Sequence, residues 1–282
     1  MSDPALPPRG PAPPRPLGFG ELLDQVFRIY RRHFVLLASL ALILSVPGLL
    51  VSLATGTASQ LGLAFDMLRA PTPAPFAGLP SINPVSLGVA YLVSLLLVPF
   101  SIGLVPQGGL RLVDGDRPSP ASIFQAVLRR YFGLFGLAVL LSVVGLTLVC
   151  FPVGLWLLVR FTVAVPVLLA ERAGPWRALV RSWDLTEGGW WRTFGTLAVL
   201  YLIGAVVGGV LGLIGWPVAL AVPFLPSAAR GAIVISISTV SSALTLPLLS
   251  LAVVLLYTDF RVRREGYDLD RLAKAAALGA TT

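Results

Sequence analysis

Long apolar runs alternate with short polar segments along most of this chain. A transmembrane helix needs about 20 apolar residues to cross about 30 Å of hydrocarbon, and six runs approach that length. They predict helices over about residues 34–54, 87–110, 132–150, 153–170, 194–214 and 232–257. The pattern therefore predicts an all-α, polytopic membrane protein with six transmembrane helices in three hairpins.

The third and fourth predicted helices come from one run that is too long for a single crossing. This run, from Tyr131 to Ala170, contains a single charged residue, Arg160, and a Pro-Val-Gly sequence over residues 152–154 marks the expected turn. Prolines inside the spans are expected to kink the helices without breaking them, because a bundle can satisfy the freed carbonyl groups. They are Pro47, Pro99, Pro166 and Pro247.

The polar segments before the odd-numbered spans share an eight-residue pattern. Apolar residues stand at positions i, i+3 and i+4, an aromatic residue at i+7 and an arginine at i+5, in copies that begin at Leu23, Phe124 and Trp176. On a helix the apolar positions form one stripe and the arginine projects from another face. We expect a cytoplasmic, interfacial amphipathic helix before each hairpin. The pattern fits either an internal threefold repeat or the ordinary requirements of helices beside a membrane.

Nearly all of the 21 basic residues lie in segments that alternating spans would put on one side. Arg69 and Arg230 fall in the opposite loops, and Arg160 falls within a span. The positive-inside rule then places both termini in the cytoplasm, and we expect a multi-pass protein of a bacterial cytoplasmic membrane. Its expected parts are a disordered Pro-rich tail over residues 1–18, a membrane domain over 19–260 and a basic tail over 261–282.

The composition limits the chemistry of the chain, which is 56% hydrophobic and 12% charged, with one His and one Cys. A metal cage needs three or four clustered ligands, so no metal, no cofactor and no catalytic residue is expected. No nucleotide-binding loop, nucleophile elbow or HExxH motif occurs. The net charge of +8 follows from the predicted topology, and it predicts attraction to anionic lipid headgroups rather than nucleic-acid binding.

Arg160 is the strongest candidate for a functional polar group, because a charge inside a span is unfavourable by about 2.5–3.5 kcal/mol. Its candidate partners are carbonyl groups freed by nearby prolines, hydroxyl groups or a lipid phosphate. A snorkelling or packing role is the structural alternative. The arginines of the repeated pattern, Arg28, Arg129 and Arg181, are further candidate contacts for anionic headgroups.

Two other groups of residues have candidate structural roles. Glu171, Arg177 and Asp184 form a candidate polar network before the fifth span, with helix capping and ion pairing favoured. Three glycines spaced four residues apart predict close packing against a helix of this chain or of a second copy; they are Gly204, Gly208 and Gly212. Four tryptophans in the same polar segment are expected to anchor it at headgroup depth; they are Trp176, Trp183, Trp190 and Trp191.

Three phrases of the chain carry a resemblance to a known family. RPLGFGELLDQVFRIYRRHF, VRFTVAVPVLLAERAGPWRALVRSWDLTEGGWWRTFG and YTDFRVRREGYDLD, in this order and spacing, resemble the glycerophosphoryl diester phosphodiesterase membrane-domain family from Arg15 to about Asp270. The resemblance implies a bacterial membrane protein related to a portion that stands beside phosphodiesterase domains in some proteins and alone in others. The catalytic histidines and acidic metal ligands of the phosphodiesterase are missing, so its activity is not expected here.

Three functional hypotheses follow. The first is a non-enzymatic membrane protein that supports a lipid- or envelope-related process through an unidentified protein partner. The second is a transporter or permease-like subunit for an anionic or amphipathic small molecule, which proline-interrupted spans and Arg160 would suit. The third, an intramembrane enzyme acting on glycerophospholipid, depends on the family resemblance alone.

Overall fold

The computed structural model describes residues 17–54, 84–221 and 224–265, and every regular element within these ranges is helical. The elements are α1 (Phe19–Arg32), α2 (Phe34–Ala54), α3 (Pro84–Val113), α4 (Pro120–Leu128), α5 (Tyr131–Leu146), a 3-10 turn (Thr147–Val149), α6 (Phe151–Arg160), α7 (Ala164–Glu171), α8 (Pro175–Thr186), α9 (Trp190–Ala221) and α10 (Ser227–Glu265).

Six stretches of the structure are long and apolar enough to cross a membrane, which confirms the six predicted helical spans. They are Phe34–Ser52, Gly88–Val113, Tyr131–Val149, Phe151–Glu171, Trp190–Leu213 and Ser227–Arg264. The last helix continues beyond the predicted boundary at residue 260, so the first five residues of the expected basic tail are helical. The rest of that tail, and the Pro-rich segment before residue 17, lie outside the described residues.

The fourth span is broken rather than kinked, which corrects the prediction for Pro166. A proline has no N–H for the carbonyl group of residue 162, and its ring crowds that group. The chain therefore makes a turn between α6 and α7, in which the Ala164 N–H donates to the Phe161 oxygen at 3.1 Å. This leaves the Arg160 carbonyl group without its usual helical donor. The prolines inside α2, α3, α9 and α10 do not interrupt those helices.

Helix α1, the first of the predicted amphipathic helices, lies along α10. The Leu17 N–H donates to the Asp259 carboxylate at 2.7 Å, and the Tyr30 hydroxyl donates to the Leu244 carbonyl oxygen at 2.9 Å. The two contacts on α10 are thus 15 residues apart, which is close to the length of α1 itself. Leu22 and Val26 are buried in this contact face.

The other two predicted amphipathic helices are present as α4 and α8, and they also pack against the bundle. Proline is the first residue of both helices, where its missing N–H is tolerated. Ile123 and Val127 of α4 are buried, and the Cβ position of Gly108 on α3 lies 3.4 Å from Ile123. Only the i+3 position of the repeated pattern is buried in all three helices. The predicted apolar stripe is therefore narrower than the sequence indicates.

Many charged residues meet at one end of the bundle, which we call the charged end. It comprises the last turns of α10, the first turn of α9 and the residues just before α1 and α9. The Arg264 guanidinium lies 3.5 Å from the Glu187 carboxylate, and the Cβ position of Gly189 would come within 2.7 Å of the Phe260 ring. The start of α9 is therefore level with the end of α10.

Candidate functional site

An ionic cluster centred on Asp259 joins three helices at the charged end. The Asp259 side chain is fully buried, and its Oδ2 lies 3.2 Å from Arg192 and 2.9 Å from Arg263. Its Oδ1 accepts the Leu17 N–H, while the Leu17 carbonyl oxygen accepts hydrogen bonds from Arg192 at 2.6 Å and from Arg263 at 2.7 Å. Both backbone groups of Leu17 are therefore held by α9 and α10.

A cavity of about 840 Å³ lies next to this cluster, between α1, α3, α7 and α10. One wall is apolar. The polar part of the lining carries amide groups, arginines and carboxylates, and it comprises Gln25, Gln107, Arg111, Asp114, Asp116, Tyr257, Thr258, Asp259 and Arg261. Within the described part of the chain, no hydrogen bond is made by the Gln25 and Gln107 side chains, which are half-buried. The cavity thus offers donors and acceptors to a polar group beside an apolar surface.

Glu171, a predicted network residue, connects α7 to α8 and to the cavity. Its carboxylate lies 3.5 Å from the Arg181 guanidinium and accepts a hydrogen bond from the Tyr257 hydroxyl at 3.1 Å. Tyr257 in turn accepts a hydrogen bond from Arg261 at 3.2 Å. This chain of polar contacts runs from α8 to the cavity wall.

The other two residues of the predicted network, Arg177 and Asp184, are exposed on α8. Together with Glu171 and Arg181 they line a shallow hollow at the surface. The structure therefore brings all three predicted residues to one hollow, in which Glu171 is ion-paired with Arg181.

Arg160 lies at the end of α6, beside two indole rings that contact each other edge to face. Its guanidinium carbon is 5.2 Å from the centre of the Trp156 ring and 4.8 Å from that of Trp183, and one N–H donates to the Trp183 carbonyl oxygen at 3.4 Å. Such cation–π contacts each contribute about 0.5–2 kcal/mol. The Arg160 carbonyl oxygen accepts hydrogen bonds from Ser182 at 2.8 Å and Thr186 at 3.1 Å. Trp156 is on α6 itself and the other partners are on α8, whereas the sequence pointed to carbonyl groups near prolines, to other hydroxyl groups or to a lipid phosphate.

The remaining predicted residues do not join these sites. Arg28 and Arg129 are exposed on α1 and α4, whereas their counterpart Arg181 is ion-paired. The Cβ positions of Gly204 and Gly208 lie 3.6 Å and 3.3 Å from side chains of α10, so these glycines pack within the chain. The third glycine of the stripe, Gly212, has no atom within 4 Å of its Cβ position among the described residues.

The sequence analysis did not identify Asp259 as the centre of an ionic cluster. The available signal was an acidic residue directly after the last span, followed four residues later by Arg263, a spacing at which helical side chains pair. The indole partners of Arg160 were also missed, because Trp183 was assigned to the membrane surface and Trp156 was given no role. No spacing rule relates Trp156 on α6 to Trp183 on α8.

No protein-family model, no curated protein and no solved structure matches the chain. The resemblance to the glycerophosphoryl diester phosphodiesterase membrane-domain family therefore stays a prediction from the three quoted phrases.

Proposed function

We propose that this chain is a non-enzymatic integral protein of a bacterial cytoplasmic membrane, with both termini in the cytoplasm. It binds the polar head of an amphipathic ligand at the charged end and supports a lipid- or envelope-related process through a partner protein. The bias of basic residues towards one side supports the orientation. The observation that carries the binding role is the cavity beside Asp259.

The lining of the cavity suits a ligand with a polar head and an apolar body. Arg111 and Arg261 provide positive charge, Asp114 and Asp116 provide negative charge, and the amide of Gln107 provides a donor and an acceptor. Ligand sites typically combine a mostly apolar wall with a few polar groups that fix orientation. The volume of about 840 Å³ lies within the range of about 300–1,000 Å³ that is usual for such sites.

Native mass spectrometry of the protein extracted with its own lipids tests the binding role. We expect a bound ligand in the wild type that is lost in Gln107→Leu, which removes a cavity amide at similar side-chain size. The matched control is Gln125→Leu, because Gln125 is exposed on α4 and does not line the cavity; it should retain the ligand. Equal retention by both variants, or a wild type without ligand, contradicts the binding role. Turnover of a lipid or phosphodiester by the purified protein contradicts the non-enzymatic assignment.

A transporter or permease-like subunit is the second candidate function. The break between α6 and α7 beside Arg160 favours it, because transporters often bind anionic substrates at interrupted helices. Uptake of an anionic solute into liposomes containing the protein, abolished by Arg160→Ala, would support this alternative. Uptake that does not change in the variant would remove Arg160 from the mechanism.

A further inference from the structure

The last turn of α3 brings an arginine and an aspartate to the lining of the cavity between α1, α3, α7 and α10. Gly115 has a φ of 87°, and a left-handed glycine just after a helix reverses the chain in a Schellman motif. The Gly115 N–H donates to the Leu112 oxygen at 3.2 Å, and the Asp116 N–H donates to the Arg111 oxygen at 2.9 Å. This second bond keeps the Cα atoms of Arg111 and Asp116 within about 7 Å of each other, and both residues line the cavity.

These two opposite charges do not neutralise each other. Within the described part of the chain, Arg111 forms no ion pair, and its guanidinium donates a single hydrogen bond, to the Ser122 hydroxyl at 3.3 Å. Most of its five N–H donors are therefore available. The Asp116 carboxylate is exposed and has no ion-pair or hydrogen-bond partner among the described residues. A ligand that carries both signs of charge can pair with both side chains.

Negative charge is concentrated where α3 ends. The last carbonyl groups of a helix carry the negative end of its dipole, and Asp114 and Asp116 add two carboxylates directly after this helix. A helix C-terminus disfavours carboxylates and favours cations. Both aspartates line the cavity, so this part of the lining attracts a cation such as an ammonium group.

Positive charge in the lining comes from Arg111 and from Arg261 on α10. A guanidinium group presents parallel N–H donors that match the oxygens of a phosphate group. The third carboxylate of the lining, Asp259, is already paired with two arginines of the ionic cluster. The other two carboxylates of the lining therefore balance its two arginines, and the cavity has no excess of either sign for a singly charged ligand.

We infer that the ligand of this cavity has a zwitterionic head, with a phosphate diester against Arg111 and an ammonium group against Asp114 and Asp116. An anionic head would bring further negative charge to the two aspartates, and a cationic head would bring further positive charge to Arg111. An ethanolamine phosphate diester carries both charges on one short chain, either in a phospholipid or in a water-soluble molecule. The inference rests on the binding role proposed above and names the class of its ligand.

Lipid titration followed by native mass spectrometry tests the inference on protein that has been stripped of its own lipids. The two probes are phosphatidylethanolamine and phosphatidylglycerol with identical acyl chains, so that they differ only in the ammonium group. We expect phosphatidylethanolamine to bind about ten times more tightly, because its ammonium forms a charge-assisted hydrogen bond. Asp116→Asn should remove most of this preference. Asp184→Asn is the matched control, since Asp184 is exposed on α8 and does not line the cavity; it should keep the preference.

A competitor without acyl chains distinguishes the two sources of such a head. The probe is 2-aminoethyl methyl phosphate, which has the same diester and ammonium groups. Displacement of phosphatidylethanolamine by an equal concentration of this molecule would identify a water-soluble ligand. Displacement only at a large excess would identify a phospholipid, whose acyl chains add apolar contacts. Both results agree with a zwitterionic head.

Two results would overturn the inference and leave the binding role intact. The first is equal or tighter binding of phosphatidylglycerol by the wild type. The second is an unchanged preference in Asp116→Asn, because the ammonium group would then not be held at the end of α3. Binding of neither lipid would contradict the binding role itself. The thermal unfolding temperature of Asp116→Asn should equal that of the wild type, since the side chain is exposed, so that a lost preference is not a sign of unfolding.

Discussion

Replacement of Asp259 by Asn should release α1 from the rest of the bundle. The Asp259 carboxylate neutralises Arg192 and Arg263 and accepts the Leu17 N–H, so it holds the start of α1 against α9 and α10. Asparagine keeps one oxygen that can accept from Leu17, but it removes the negative charge. Both arginines then remain close to each other without a counterion.

The size of the effect follows from burial. Removal of one partner from a buried ion pair destabilises a protein by about 3–5 kcal/mol. The Arg192 and Arg263 side chains are 21% and 40% exposed and keep their hydrogen bonds to the Leu17 oxygen, so solvent offsets part of the loss. We expect about 2–3 kcal/mol for Asp259→Asn, and about 1 kcal/mol more for Asp259→Ala because the Leu17 N–H also loses its acceptor.

Hydrogen exchange in detergent micelles, read by mass spectrometry of the peptide that contains α1, is the direct assay. A loss of 2–3 kcal/mol corresponds to amide exchange that is about 30 to 150 times faster if α1 exchanges by separating from α10. Asp184→Asn is the matched control, since Asp184 is exposed on α8, and exchange of α1 should not change in it. If α1 remains equally protected in Asp259→Asn and the wild type, the ionic cluster does not hold α1 and the reasoning is wrong.

Three further predictions follow from local geometry. Trp183→Leu removes one of the two rings beside Arg160 and should lower the unfolding free energy by about 1–2 kcal/mol. Trp183→Phe should recover part of this loss, and chemical denaturation in micelles measures both effects. Gly154→Ala places a methyl group against backbone atoms of the neighbouring turn and should destabilise by about 1–3 kcal/mol, whereas Gly145→Ala, where space is open, should not destabilise. The pKa of His33 should lie below 6.5, because partial burial and two nearby guanidinium groups disfavour the imidazolium form. Folding stability then falls as the pH drops through 6.5, because the unfolded state binds the proton more tightly. An NMR titration in which His33 titrates at or above 6.5 would contradict this.

The sequence was sufficient for the helical class and the number of long apolar helices, because the spacing of charges along the chain directly limits where such helices begin and end. It did not predict the break after Arg160. Prolines inside four helices of the described structure leave those helices uninterrupted, whereas before Pro166 one helix ends at Arg160 and the next begins at Ala164. The difference lies in tertiary contacts, since the Ser182 and Thr186 hydroxyl groups of α8 donate hydrogen bonds to the freed Arg160 carbonyl group.

The candidate site was less predictable than the fold. Arg160 stood out because its charge interrupts an apolar run, and Glu171 because it follows one. The cavity residues did not stand out, because Gln25 and Gln107 come from helices that are more than 80 residues apart in the sequence. Pairing between α1 and α10 depends on contacts such as Leu17 with Asp259, separated by 242 positions, and no local pattern encodes them.

Hydropathy also overstates the contact between α10 and lipid, for a physical reason. Helix α10 has 39 residues and is about 58 Å long, nearly twice the hydrocarbon thickness of about 30 Å. Its last apolar residues, including Leu255 and Leu256, are fully or almost fully buried in the protein core near α1. An apolar side chain is equally well accommodated by lipid and by a protein core, so an apolar run measures removal from water rather than depth in a membrane.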